Sequence, residues 1–260
     1  KQPGQSGLTA AYISCDSYVH YCLFIIGEIT ISKTKLKKIF SIFVFMLDTL
    51  QHQGRRKKLL DNLAKSFDFD TSVLEAMSRV PRHLFIEPGL DHLAYLDRPL
   101  PIGAGQTISQ PFTVAMQSHL LKAERFDKVL EIGTGCGYQT AVLAEMGLRV
   151  YSIERQKSLY QLARRNLEKL GYHSPLLFLG DGFVGLPKFA PFKRILLACG
   201  APEVPSALIN QLAVGGRMVI PVGTDVQKML VVERLGENDF KTTEHGDYKF
   251  VPMLSGVEKK

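Results

Sequence analysis

Glu131 opens a turn that carries glycine at every second position, Gly133-Thr134-Gly135-Cys136-Gly137. Glu154 follows the next apolar run, Arg149 to Ile153. Backbone without a Cβ can approach a ligand closely. A helix beginning near Tyr138 aims its first N–H groups at the same place. The pattern E-x-G-x-G-x-G brings its third glycine one residue too early for the dinucleotide turn G-x-G-x-x-G, so a nicotinamide dehydrogenase is the least favoured reading. Carboxylates at the ends of two adjacent parallel strands suit an amine and a ribose diol better than a pyrophosphate. From these residues alone, a tight strand–helix turn without a ligand remains open. Asp181, in Gly180-Asp181-Gly182, reads equally as an ordinary Asp-Gly turn. Thr107 and Ser109 are two hydroxyls just before Pro111, and Ser109 reads equally as a helix cap or a local side-chain turn. Cys15, Cys22, Cys136 and Cys199 form no C-x-x-C pair and fit the reduced thiols of a cytosolic protein. No His/Cys cluster has ligand spacing, so no metal is expected.

These residues need elements to hold them. From Leu47 the pattern is helical, with Leu50, Leu59, Leu60, Leu63 and Phe67 on one face. Asp70 or Thr71 can cap a second helix carrying Val73, Leu74, Met77 and Val80, which Pro81 stops. Residues 82–110 are loop-rich, and Pro111 suits the first position of a helix running to Leu121. Strands are expected at 128–132, 149–153, 176–179, 193–198 and 216–221, with helices at about 138–146, 156–170 and 204–213. Such alternation means βαβ units and a mostly parallel sheet covered on both faces. Met229 to Arg234 and Tyr248 to Val251 are expected to close the sheet as antiparallel strands.

The 260 residues suffice for one large α/β domain with a small appendage. The net charge of +7 is concentrated at the front. Residues 1–65 hold 10 Lys/Arg and 4 Asp/Glu, whereas residues 66–260 hold 22 and 21. A nearly neutral body argues against nucleic acid, which needs basic side chains gathered on the working face. Residues 1–45 do not read like the rest. Their apolar runs, Tyr18 to Ile31 and Ile39 to Leu47, fall short of the ~20 residues of a membrane-spanning helix, and a signal peptide fits poorly. We expect an atypical extension over 1–45, a functional start near Met46, and one domain over 46–260. Residues 46–121 would be its helical and active-site part, and 122–260 its cofactor-binding sheet.

Several motifs together carry a resemblance. Arg79-Val80-Pro81-Arg82-His83-Leu84-Phe85, the run Tyr95 to Gly103, and Gly105-Gln106-Thr107-Ile108-Ser109-Gln110-Pro111 precede the glycine turn. Gly180-Asp181-Gly182, Gly200 to Pro205, Gly215 to Gly223 and Phe250-Val251-Pro252-Met253 follow it. From about Leu47 to Ser255 the chain resembles the protein-L-isoaspartate O-methyltransferases, and the Gly105-to-Pro111 segment is the most diagnostic match.

The resemblance implies a Rossmann-like, seven-stranded, mostly parallel sheet of the class I methyltransferase type with helices on both faces, plus a small N-terminal helical subdomain. It implies S-adenosylmethionine as cofactor. Gly133, Thr134, Gly135 and Gly137 would pass under the methionine part, with Glu131 near the amino end. Glu154 would accept from the ribose hydroxyls, and Asp181, between Gly180 and Gly182, from the adenine amino group. The acceptor would be the α-carboxylate of an L-isoaspartyl residue, held in line by Ser109 with Thr107 as the second hydroxyl. Ile108, Gln110, Ala201, Pro202 and Val204 would touch the peptide, Cys199 to Pro205 forming a groove wall. Damaged proteins or peptides would be the partners of a cytoplasmic monomer that needs neither nucleic acid nor membrane. Two alternatives keep the fold: a small-molecule or RNA acceptor, or a non-catalytic module that binds isoaspartyl proteins.

Overall fold

The computed structural model describes residues 48–258; the extension expected over 1–45 and the start near Met46 lie outside them. Helix α1 (Leu50–Ser66) buries Leu59 and Leu63. Helix α2 (Thr71–Arg79) buries Val73, Ala76 and Met77, the i, i+3, i+4 stripe of an amphipathic helix. Asp70 precedes α2 without capping it through its side chain. Its carboxylate instead takes two hydrogen bonds from Lys122 Nζ, at 2.9 and 3.0 Å.

The segment expected as loop holds a small antiparallel hairpin, β1 (Leu100–Gly103) with β2 (Gln106–Ile108). Strands of four and three residues, one containing Pro101, leave almost no alternation to read. At the hairpin's turn Ala104 (φ 51°) and Gly105 (φ 67°) both lie in the left-handed region, the geometry of a tight turn that matches strand twist. Ala104 strains to adopt it. Ala104→Gly should therefore raise stability by roughly 0.5–1 kcal/mol in a urea titration; a loss of stability would contradict that strain. Helix α3 (Pro111–Leu120) starts at its proline, as the fixed φ of that residue favours.

The main sheet comprises β3 (Lys128–Ile132), β4 (Arg149–Glu154), β5 (Leu176–Leu179), β6 (Phe192–Leu197), β7 (Leu212–Val222), β8 (Gln227–Arg234) and β9 (Phe240–Tyr248), in the order β5-β4-β3-β6-β7-β8-β9. The first five pair in parallel, while β8 and β9 return antiparallel. Helices α4 (Tyr138–Glu145), α5 (Lys157–Lys169) and α6 (Ser206–Ile209) connect the parallel strands. Alternate residues enter opposite cores. Val129, Leu196 and Val219 pack with residues of α1 to α5. Leu130, Ile195, Leu197, Met218 and Ile220 pack with Leu208 of α6 and with partly buried Phe183, Leu186 and Phe189. Each such fully buried side chain is worth about 1.5–3 kcal/mol.

Two further elements differ from the sequence reading. The helix expected at 204–213 is the four-residue α6, because Leu212 already pairs with Phe192 as the first residue of β7. The last strand is Phe240–Tyr248, an exposed edge strand, not Tyr248 to Val251. Its polar sequence hid it from a hydrophobic pattern. Val251 to Met253 instead runs beside Gly200, whose N–H donates to Val251 O and whose O accepts from Met253 N. No helix among the described residues is long and apolar enough to cross a membrane.

Candidate active site

Strand order reverses at β3, with β4 on one side and β6 on the other. Open α/β sheets bind ligands in the crevice beyond the carboxyl ends of strands at such a point. A cavity lies there, lined by Gly133, Gly135, Glu154, Gln156, Gly182 and Cys199, with Ile102, Gln106 and Thr107 of the hairpin. The hairpin is thus one wall of this crevice. Gly135 turns at φ 57°, and a Cβ there would meet Ile102 Cδ1 at 3.3 Å. Glu154 is held by two backbone donors, Gly135 N at 2.9 Å and Gln156 N at 2.8 Å. Burial raises its pKa above the ordinary carboxylate value, and those two N–H groups counter the shift.

Glu131, fully buried, takes a hydrogen bond from Thr140 Oγ1 at 2.5 Å, which ties β3 to α4. Its other oxygen, Oε1, has no partner among the described residues. Burial pushes its carboxyl up to about 7. A raised carboxyl pKa makes the folded state hold the proton that the unfolded chain releases near 4.5. Stability from this group is therefore present below that value and lost as pH rises through about 7. Glu131→Gln removes the cost of ionising it. The ligand-free variant should gain about 2–3 kcal/mol relative to wild type on going from pH 5 to pH 8, read from urea melts at both values. Parallel pH profiles would reject this.

A second cavity adjoins the first. Pro99, Ser109, Gln110, Phe112 and Thr113 line it on one side, and the chain from Gly246 to Phe250 on the other. Thr107, Ala198 and Val251 line both cavities. Ser109 is part-buried, and Gln110, not Ser109, occupies the position that caps α3. Asp97 fixes this junction, accepting from Phe112 N at 2.8 Å and from Gln110 Nε2 at 3.0 Å.

The other sequence-derived residues are placed as follows. Thr134 is buried with its hydroxyl 2.6 Å from Ser152 Oγ. Gly137 starts α4, and a Cβ there would press on Leu167 Cγ at 3.2 Å. Gly180 follows β5, its N–H on Glu154 O. A Cβ at Gly182 would lie 2.4 Å from Ile132 Cγ2. Asp181 accepts from Phe183 N at 2.9 Å, the Asp-Gly turn, and from Gly256 N at 2.7 Å. Ile108 is buried in the core. Ala201, Pro202 and Val204 line neither cavity. Ala201 is buried, with its N–H on Pro221 O, and Val204 packs under the sheet. The wall of the second cavity that faces Ser109 is Gly246 to Val251. Sequence reasoning missed it because Gly246 to Tyr248 end a polar edge strand that has no hydrophobic pattern. The fold also gathers ligand atoms of Asp48, His52 and His83 within 4.8 Å. Arg56 takes both Asp48 oxygens, at 3.1 and 2.8 Å, and the two imidazoles stack at 3.8 Å, which does not converge their lone pairs on an ion.

A family model described as protein-L-isoaspartate(D-aspartate) O-methyltransferase matches residues 54–258. The chain belongs to this family. The protein-L-isoaspartate O-methyltransferase of Christiangramia forsetii is 51% identical over 209 residues, covering 80% of this chain and 98% of the relative. That of Flavobacterium psychrophilum is also 51% identical with the same coverage. A solved protein-L-isoaspartate O-methyltransferase superposes with a TM-score of 0.72 at 27% identity, over 78% of this chain and 67% of that one. A structure from Plasmodium falciparum, described as a putative member in complex with S-adenosyl-L-homocysteine, gives a TM-score of 0.67 at 24% identity, over 76% of this chain and 98% of that one, and shares the fold. The family match spans both cavities, from the Gly105-to-Pro111 segment to Val251.

Proposed function

We propose that this chain moves a methyl group from S-adenosylmethionine to the free α-carboxyl of L-isoaspartyl residues in damaged proteins. The observation that carries this reading is the pair of adjoining cavities that share Thr107, Ala198 and Val251. One offers a glycine cradle with the Glu154 carboxylate, the other a hydroxyl beside a helix start.

The first cavity suits the cofactor. Gly133 and Gly135 leave room that a Cβ would fill, and Glu154 faces the same space. Glu131 Oε1, buried behind the glycine turn and outside the cavity lining, has no partner among the described residues and would take the cofactor's amino end directly or through water. Bound there, S-adenosylmethionine supplies a methyl group already activated by its sulfonium sulfur. Glu154 would accept from the ribose diol while keeping its two backbone donors, since a carboxylate offers about four lone-pair sites. Asp181, already accepting twice, would take the adenine amino group in the same way.

The acceptor carboxyl has a reference pKa of about 3.3–3.7, so it is ionised at neutral pH and no strong base is required. It loses that charge as it is methylated. A donor therefore gains little from electrostatics alone, and Ser109 acts mainly by aligning the carboxylate oxygen. Thr107, which lines both cavities, would be the second hydroxyl, and Gln110 would contact the peptide. The reading takes the chain to work as a monomer in the cytoplasm on damaged proteins.

The test is methyl transfer from S-adenosylmethionine to an isoaspartyl peptide and to its normal aspartyl counterpart. Labelling of the first alone is expected; equal labelling of both would remove the specificity.

A further inference from the structure

Arg82 is a guanidinium with no exposed surface. No carboxylate pairs with it among the described residues. Its Nε donates to Ala94 O at 2.9 Å and its Nη2 to Ser109 O at 2.8 Å. Its Cζ lies 4.8 Å from the centre of the Tyr138 ring. Nη1 is buried without a partner among the described residues. A buried cation left with carbonyls and a ring for compensation is costly, and an apolar side chain would fill the space at less cost. Its contacts show what it joins. Ser109 lies on the acceptor side, and Tyr138 directly follows Gly137 of the glycine turn.

We propose that Arg82 is a positioning residue that sets Ser109 relative to the glycine turn, and so sets the line between acceptor carboxylate and methyl donor. This rests on the role proposed for Ser109. The Ser109 carbonyl belongs to the peptide plane joining it to Gln110, so holding that oxygen orients the Ser109 side chain. Asp97 holds the other end of the same junction through Gln110 and Phe112. Arginine serves here because its planar fork reaches two carbonyls at once while its face stacks on an aromatic ring. Lysine keeps the charge and loses both properties.

A double-mutant cycle tests this, with kcat and KM for an isoaspartyl peptide and the dissociation constant of S-adenosylhomocysteine measured for each protein. Arg82→Lys should lower kcat about tenfold and leave the dissociation constant within threefold. Combined with Ser109→Ala, it should add nothing to the loss from Ser109→Ala alone, because both changes remove one alignment. A purely structural role would give losses that multiply, and that result overturns the proposal, as does wild-type kcat in Arg82→Lys. If Arg82→Lys does not fold, Tyr138→Leu, which removes the stacking ring, goes through the same cycle. There too, no added loss supports the proposal and multiplying losses overturn it. Wild-type activity on the isoaspartyl peptide is the control. Its absence would count against the proposed function, whereas its presence with multiplying losses counts against Arg82 alone.

Discussion

Ser109→Ala should reduce kcat/KM for an isoaspartyl peptide about 100-fold while leaving cofactor affinity within about twofold. The division follows from where the residue sits. Ser109 lines the acceptor-side cavity and not the cradle of Gly133, Gly135 and Glu154. Its hydroxyl makes no hydrogen bond to another described residue, and Gln110 holds the helix-capping position. Removing the hydroxyl therefore takes little from the fold. What is lost is a donor that fixes the direction of one carboxylate oxygen, and misalignment of about an ångström costs on the order of 100-fold. Steady-state kinetics with calorimetry of S-adenosylmethionine binding separates the two quantities. Unchanged turnover would remove Ser109 from the site. A matching loss of cofactor affinity would make it part of the cradle.

Glu154→Ala should weaken S-adenosylmethionine binding by about 100-fold or more and also lower stability. Two charge-assisted bonds to a ribose diol, each worth about 1.5–3 kcal/mol, are forfeited. The N–H groups of Gly135 and Gln156 also lose their acceptor, at about 1–3 kcal/mol for each one left buried and unsatisfied. Glu154→Gln retains one carbonyl acceptor and should fall between. Calorimetry on both variants, with urea melts of the ligand-free proteins, tests the pair of effects. Affinity within threefold of wild type in Glu154→Ala would place the ribose elsewhere.

Much of the central sheet could be read directly. Lys128–Ile132 stands where the apolar run put it, because a strand buried on both faces is a continuous hydrophobic segment; Leu176–Leu179, an edge strand with Leu176 and Leu179 exposed, was legible from its apolar run alone. The helix at Pro111 was legible for a different reason, the fixed φ of proline at a first turn. The hairpin of Leu100 to Ile108 was not, since strands so short and interrupted by proline have no period to detect. Strand β9 escaped because an exposed edge carries no hydrophobic face.

The site divides along the same line. Residue type and spacing marked the glycine turn and the carboxylates after successive strands, because those features depend on a few neighbouring positions, and the family resemblance pointed to the hydroxyls before Pro111. Tertiary structure decided what surrounds them. It placed the hairpin over the cradle, and it set Gly246 to Val251 across the second cavity from Ser109. It also aimed the buried Arg82 at the Ser109 carbonyl from 27 residues away. Such contacts join segments remote in sequence, and their partners are backbone carbonyls that no residue type reveals. Residue types and motifs therefore determined which chemistry the chain can support, and tertiary packing brought the hairpin, the end of β9 and Arg82 together around Ser109.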